Sequence, residues 1–175
     1  MTATKTMVAL LLATLGTGPA LAQGEVTNRV AVETAWSVFV ASDPTECFSV
    51  SAPTTTVNTR DGQVVSVQRG DIRLFVTFRP GDDVRGVVSF TGGYPFADGS
   101  TVTLQIGDSS FDLFTDGEWA WPTSESDDAQ IVAAMKRGAD AQLTARSARG
   151  TQTMDTFSLF GFTAALDEAQ KRCAG

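Results

Sequence analysis

Histidine is absent from all 175 residues. That removes the Ser-His-Asp and Cys-His nucleophile systems, the imidazole zinc sites and the commonest base near neutral pH. Lysine is almost as scarce: beyond residue 22 only Lys136 and Lys171 occur, both on polar helix ends, which leaves no buried amine for a Ser-Lys dyad. Neither G-x-G-x-x-G nor a P-loop is present, so Gly92-Gly93 and Gly161 fit no phosphate-binding fingerprint and no cofactor is expected. After the N-terminal segment no apolar run is long enough to span a bilayer. Between Arg85 and Lys136 there is no basic residue at all.

What is present begins with an address. Lys5 is followed by the apolar run Met7–Ala13, then by Gly16, Gly18 and Pro19, then by Ala20-Leu21-Ala22. A basic, then apolar, then small-residue order is the secretory pattern, and the run is too short and too broken for a membrane anchor. Residues 1–22 are expected to be a signal peptide cleaved after Ala22, which makes the protein periplasmic or secreted. The remaining 153 residues carry 12 Lys and Arg (13 less Lys5) against 20 Asp and Glu, a net charge of −8. Such a chain gains nothing from phosphate backbones or anionic lipids, so neither nucleic acid nor a membrane surface is an expected partner.

An exported chain with two cysteines is expected to join them. The tail Phe162–Cys173 reads as an amphipathic helix with Phe162, Leu166, Ala169 and Cys173 on one face, which aims Cys173 at the core beside the strand of Cys47. Such a bridge closes most of the domain into one loop and contributes about 5 kcal/mol in the chain-entropy account. A redox pair takes the C-x-x-C form, which is absent here.

Along the chain, residues 23–35 read as a polar leader, and residues 36–175 as a single disulfide-closed domain. Strands are expected at Trp36–Val40, Cys47–Val50, Val64–Gln68, Asp71–Arg79, Gly86–Thr91, Thr101–Ile106, Phe111–Phe114, Glu118–Trp121, Ala141–Ala145 and Thr151–Phe157. The Thr- and Pro-rich stretch Ser51–Asp61 reads as irregular, ending in an Asp61-Gly62 turn. One internal helix is expected over Asp127–Arg137, with a serine cap before it, acids in its first turn, and Lys136, Arg137 and Gly138 at its end. Short strands with turns every 8–12 residues predict a mainly β fold, a β-sandwich or a partly closed antiparallel barrel, with that internal helix and a C-terminal helix.

Candidate functional residues are few. Asp98, Asp108, Asp112, Asp116, Glu118, Glu125, Asp127 and Asp128 form the acidic block, which is either a solvated surface or a face for a basic partner. Carboxylate pairs such as Asp112 with Asp116, or Asp116 with Glu118, have the residue types of a glycosidase acid and base. Asp108, Asp112, Asp116 and Glu118 also have the oxygen ligands that calcium takes, without EF-hand spacing, and no metal site is assigned. Trp119 and Trp121 lie two apart, so a strand presents both on one side, as a core pair or as a binding platform. Tyr94-Pro95-Phe96 beside two glycines is a shaped loop or a turn with its apolar plug. Trp119, Trp121, Asp116, Glu118 and Tyr94 are the candidate recognition surface. A small apolar ligand in a barrel mouth is the alternative, and it requires a cavity lined by residues such as Phe75, Phe90 and Phe111.

The run Arg149–Leu166, with Phe157-Ser158-Leu159-Phe160-Gly161-Phe162-Thr163-Ala164-Ala165-Leu166 at its end and Cys173 after it, resembles the C-terminal signature of the invasion-associated locus B family. Trp36 with its strand, Cys47 and Ser89–Phe96 also resemble alphaproteobacterial members. The likeness spans about Trp36 to Cys173. It implies a small, exported, β-rich, cysteine-bridged and non-enzymatic protein that meets a protein partner in the envelope or host. It implies no catalytic residues. The chain departs from members that carry a further central cysteine pair.

Overall fold

The computed structural model describes residues 28–43 and 45–174. The expected signal peptide, its cleavage site and Pro44 of the Asp43-Pro44-Thr45 turn lie outside these residues.

Two hairpins start the fold: β1 (Arg29–Glu33) pairs with β2 (Trp36–Ser42), and β2 with β3 (Thr45–Ser51). The polar leader expected over residues 23–35 therefore contains a strand. Its alternation Val30-Ala31-Val32 is β-prone, but Val30 and Val32 face outward on an edge, so the pattern carries no core signature. A second difference follows at once. Ser51–Asp61 is not irregular: Thr55–Arg60 forms β4, where β-branched threonines suit a pleated surface. The Asp61-Gly62 turn then leads into a two-residue strand, β5 (Gln63–Val64), instead of a strand to Gln68. Residues beyond Val65 leave the sheet because Arg69 turns inward and the Gly70 amide bonds the Gly93 carbonyl at 2.8 Å. Gly93 has φ +71°, and a Cβ there would meet Gly70 backbone at 2.6 Å, so this contact requires glycine.

The central strands are β6 (Arg73–Arg79), β7 (Val84–Thr91), β8 (Thr101–Ile106), β9 (Ser109–Asp116) and β10 (Trp119–Trp121). Helix α1 (Glu125–Arg137) follows, then β11 (Asp140–Arg146), β12 (Gln152–Ser158) and helix α2 (Phe162–Cys173). The strands form one antiparallel sheet in the order β1-β2-β3-β6-β7-β10-β9-β8-β11-β12-β4-β5. With β1 and β5 as free ends it is not closed, and of the two expected architectures the sandwich-like one is found.

The period-2 patterns sort into faces. Trp36, Val38, Cys47, Leu74, Val76, Val88 and Phe90 are buried on one side of β2, β3, β6 and β7. Helix α2 packs over β1, β2, β3 and β6 with Phe162, Ala165, Leu166 and Ala169 turned inward, and Phe162 meets Trp36 edge-on at 4.9 Å. Val102, Leu104, Leu143 and Phe157 complete the interior from the other half of the sheet, and Phe90 touches Phe157 across it. The Cys47–Cys173 bridge, with Cα atoms 5.8 Å apart, fastens the last turn of α2 to β3.

Helix α1 begins where the sequence predicts a cap: Ser124 Oγ accepts from the Asp127 amide at 3.2 Å. Ile131 and Met135 are buried, and Val132 is half-buried. Pro122 ends β10 and cannot extend the ladder alongside β7. The Val88 amide, beyond the last β7 residue that β10 pairs, is taken instead by Asp128 Oδ1 at 2.7 Å.

Candidate functional site

The opposite face of β2, β3, β6, β7, β10 and β9 is not covered by any helix or strand among the described residues, and aromatic side chains stand on it in a row. Phe39 stacks on Phe48 at 5.2 Å, Phe48 meets Phe75 at 5.9 Å, and Phe75 meets Trp119 at 5.7 Å. Trp119 stacks on Trp121 at 6.3 Å and 20°, and Trp121 meets Phe114 at 5.6 Å. The row exists because each ring occupies the parity opposite to a core residue on its own strand. Phe39 follows Val38, Phe48 follows Cys47 and Phe75 follows Leu74, while Trp119 and Trp121 flank the buried Ala120. Antiparallel register then sets the rings side by side: Phe39 opposite Phe48, and Trp121 opposite Phe114.

Of the two readings of the tryptophan pair, the core one does not hold. Trp119 is 39% exposed, Trp121 is half-buried beside it, and neither belongs to the buried core. A groove of about 280 Å³ runs along the row, walled by Phe48, Phe75, Trp119 and Trp121 and closed at one end by Glu46 and Arg79, whose Oε2 and Nε lie 2.6 Å apart. Aromatic pairs at these separations are worth about 0.5–1.5 kcal/mol each beyond the area they bury.

The other candidates divide. Asp116 pairs with Trp119 across the β9–β10 hairpin, and with the exposed Asp112 it lends the aromatic row an acidic border. Glu118 sits in the hairpin turn, facing a separate cleft. Tyr94 does not join the tryptophans. Its ring lies under the Arg69 guanidinium at 4.9 Å, and its hydroxyl bonds that of Thr153. Burial pushes the Tyr94 hydroxyl pKa up, against the pull of Thr153 and of the Arg69 charge. Tyr94 therefore belongs to a buried polar cluster with Arg69 and Asp155, and its loop is held by structure.

The cavity expected for an apolar ligand does not form. Phe90 is fully buried among Phe96 and Phe157, Phe75 stands on the opposite face, and Phe111 packs at the edge of the core near α1. Strand alternation separates what a shared cavity needs together. Of the two carboxylate pairs considered for catalysis, Asp112 and Asp116 are apart, four residues along β9, about 13 Å along an extended chain. Inverting pairs lie at about 6.5–9.5 Å.

Three of the six rings, Phe39, Phe48 and Phe114, are not among the sequence candidates, and Phe75 is there only as lining for a cavity. The signal that finds them is a large apolar residue on the polar parity of a strand, repeated on several strands.

Fold and site together define an exposed-face β domain: one antiparallel sheet, helix-covered on one side, aromatic on the other, and closed by a terminal disulfide. The sequence model of the invasion associated locus B (IalB) proteins matches residues 54–170, and the chain belongs to that family. The fold is similar to the crystal structure of invasion associated protein B from Bartonella henselae, with a TM-score of 0.56 and 18% identity, covering 83% of this chain and 98% of that one. At that identity the likeness is one of fold. No curated protein sequence matches the chain significantly.

Proposed function

We propose that this IalB-family protein is a non-enzymatic, exported recognition domain that binds a protein partner through the aromatic face of its sheet. The observation that carries the reading is the unbroken contact of six rings from Phe39 to Phe114 on a face that no helix or strand among the described residues covers. Large exposed apolar patches rimmed by polar groups mark interaction sites, and tryptophan is enriched among residues that dominate interface energy. The acidic border of Asp112 and Asp116 selects a partner whose apolar surface is edged by Lys or Arg.

Export to the periplasm or beyond is supported by the residue order of 1–22 and by the Cys47–Cys173 bridge, which belongs in an oxidising compartment. The non-enzymatic reading is supported by the lack of histidine and by the spacing of Asp112 and Asp116.

The test is site-specific photocrosslinking in intact cells, with a photoreactive amino acid at Phe48 or Trp119 and, as control, at Val64, exposed on the far sheet edge. Discrete adducts from Phe48 and Trp119 that are missing from Val64 are expected. Equal adducts from all three positions, or none from the aromatic face, overturn the proposal.

A further inference from the structure

A second cleft, of about 550 Å³, lies away from the aromatic row where the end of β4, the 65–72 segment, the Gly93–Pro95 loop and the β11–β12 turn converge. Its size is that of a small-molecule site. Arg60 and Arg149 both line it. Six basic residues of this chain, Arg69, Arg73, Arg79, Arg85, Lys136 and Arg172, have carboxylate partners. Arg60 and Arg149 have none among the described residues, as is true also of Arg29, Arg137, Arg146 and Lys171, but of these six only Arg60 and Arg149 line this cleft, in a protein where acids outnumber bases by seven. Two unpaired guanidiniums in one cleft of an acidic protein are placed against the general charge balance.

Both arginines are exposed, and the Arg60 side chain and the backbone that carries Arg149 are held in place. Arg60 Nη2 donates to Thr151 Oγ1 at 2.7 Å. The turn carrying Arg149 is braced at three points: Ser147 N to Thr151 O, Gly150 N to Ser147 O, and Ala148 N to Pro95 O, at 2.8–2.9 Å. The floor contributes no net charge, because Arg69 there is neutralised by Asp155. Val67, Tyr94 and Pro95 supply apolar wall, and among the described residues Glu118 is the one carboxylate that lines the cleft with Arg60 and Arg149.

From this placement we infer that the cleft binds a small organic anion: a carboxylate or phosphate group held by Arg60 and Arg149, with an apolar body against Val67, Tyr94 and Pro95. Planar guanidiniums match both head groups by paired hydrogen bonds. This is independent of the protein-binding face, and it replaces the apolar carrier with a site for a charged ligand.

The experiment is an NMR titration of the intact oxidised domain with benzoate, phenyl phosphate, inorganic phosphate and neutral benzyl alcohol. Saturable shifts at the amides of Gly93, Ala148, Gly150 and Thr151 are expected with benzoate or phenyl phosphate, weaker ones with inorganic phosphate, and none with benzyl alcohol. A stronger response to benzoate than to phenyl phosphate assigns a carboxylate head group, and the reverse order a phosphate. Arg60→Gln/Arg149→Gln is expected to weaken binding at least tenfold, while Arg137→Gln/Lys171→Gln leaves it unchanged. Arg149→Gln alone, in an exposed turn, gives the same reading should the double variant fold poorly. Absence of saturable shifts with every anion, equal binding of benzyl alcohol, or affinity indifferent to Arg149→Gln overturns the inference.

Discussion

Arg69 grips Asp155 with two hydrogen bonds, Nη1 to Oδ1 at 2.7 Å and Nη2 to Oδ2 at 2.5 Å, across 86 positions of sequence. Asp155 is fully buried on β12 and the Arg69 side chain is 6% exposed. The pair joins the irregular 65–72 segment to the strand that β4 also borders, and Arg69 Nε reaches on to the Gly92 carbonyl at 2.8 Å. Burial pushes the Asp155 carboxyl up from its ordinary pKa, while the hydrogen bonds and charge of Arg69 pull it back.

Removing one partner is therefore worse than removing both. Arg69→Met is expected to cost about 3–5 kcal/mol at neutral pH by stranding a buried carboxylate, and Arg69→Met/Asp155→Leu to recover most of it. In the single variant Asp155 binds its proton more tightly folded than unfolded. Its penalty then shrinks as pH falls. Urea unfolding of the three proteins at neutral and acid pH reads this, and a single variant within 1 kcal/mol of wild type contradicts it.

Cys47 and Cys173 are 126 positions apart, so the bridge restrains nearly the whole unfolded domain. Cys47→Ala/Cys173→Ala is expected to lose about 2–5 kcal/mol. Amide exchange distinguishes local from global loss. Helix α2 keeps Phe162 and Leu166 in the core, so its C-terminal turn is expected to lose protection first while the β8–β11–β12 amides stay slow. Uniform loss of protection would show instead that the bridge supports the whole sheet.

The core face of this protein was legible in the chain because α2, β6 and β8 follow one period each: Phe162, Leu166 and Ala169 at helical spacing, Leu74 and Val76 or Val102 and Leu104 at strand spacing. What escaped was decided by long-range contacts. Strand β4 is half threonine and gains its place by pairing with β12, where Thr56 lies opposite Asp155, 99 positions ahead, and Thr55 opposite Thr156. Arg69 stands in the break between two expected strands, Val64–Gln68 and Asp71–Arg79, and it is drawn inside by a carboxylate on β12. The site was half legible. The tryptophan spacing announces a shared side without saying which, and the ring row depends on the register of six strands that no local pattern fixes.

Trp36 is fully buried against Phe162, whereas Trp119 and Trp121 share the open face. Iodide is expected to quench most of the native emission, and Trp119→Phe/Trp121→Phe to leave a blue-shifted band that iodide barely touches. The substitutions keep aromatic area on the surface, so stability is expected to change by less than about 1 kcal/mol. An unquenchable wild-type spectrum would bury the tryptophan pair and remove the recognition face.

Asp128 tests how α1 is tied to the sheet. Burial pushes its carboxyl up, the Val88 amide pulls it back, and the charges of Asp127 and Glu125 push it up further. With the folded pKa above the unfolded one, the folded state holds this proton more tightly. The contribution of Asp128 to stability is thus greatest below the ordinary carboxylate pKa of about 4 and falls as pH rises through the folded value. Asp127 runs the other way, since the hydroxyls of Ser124 and Thr123 hold its carboxyl low. The difference between wild type and Asp128→Asn isolates the Asp128 contribution. Asparagine keeps an oxygen for the Val88 amide and discards the charge, so it is expected to match or exceed wild type at pH 7 and to lose that advantage below about pH 4. Asp128→Ala leaves the Val88 N–H without its acceptor and is expected to cost about 1–3 kcal/mol at both pH values. A large loss for Asp128→Asn at neutral pH would mean that the charge at the start of α1, and not the hydrogen bond to β7, holds the helix in place.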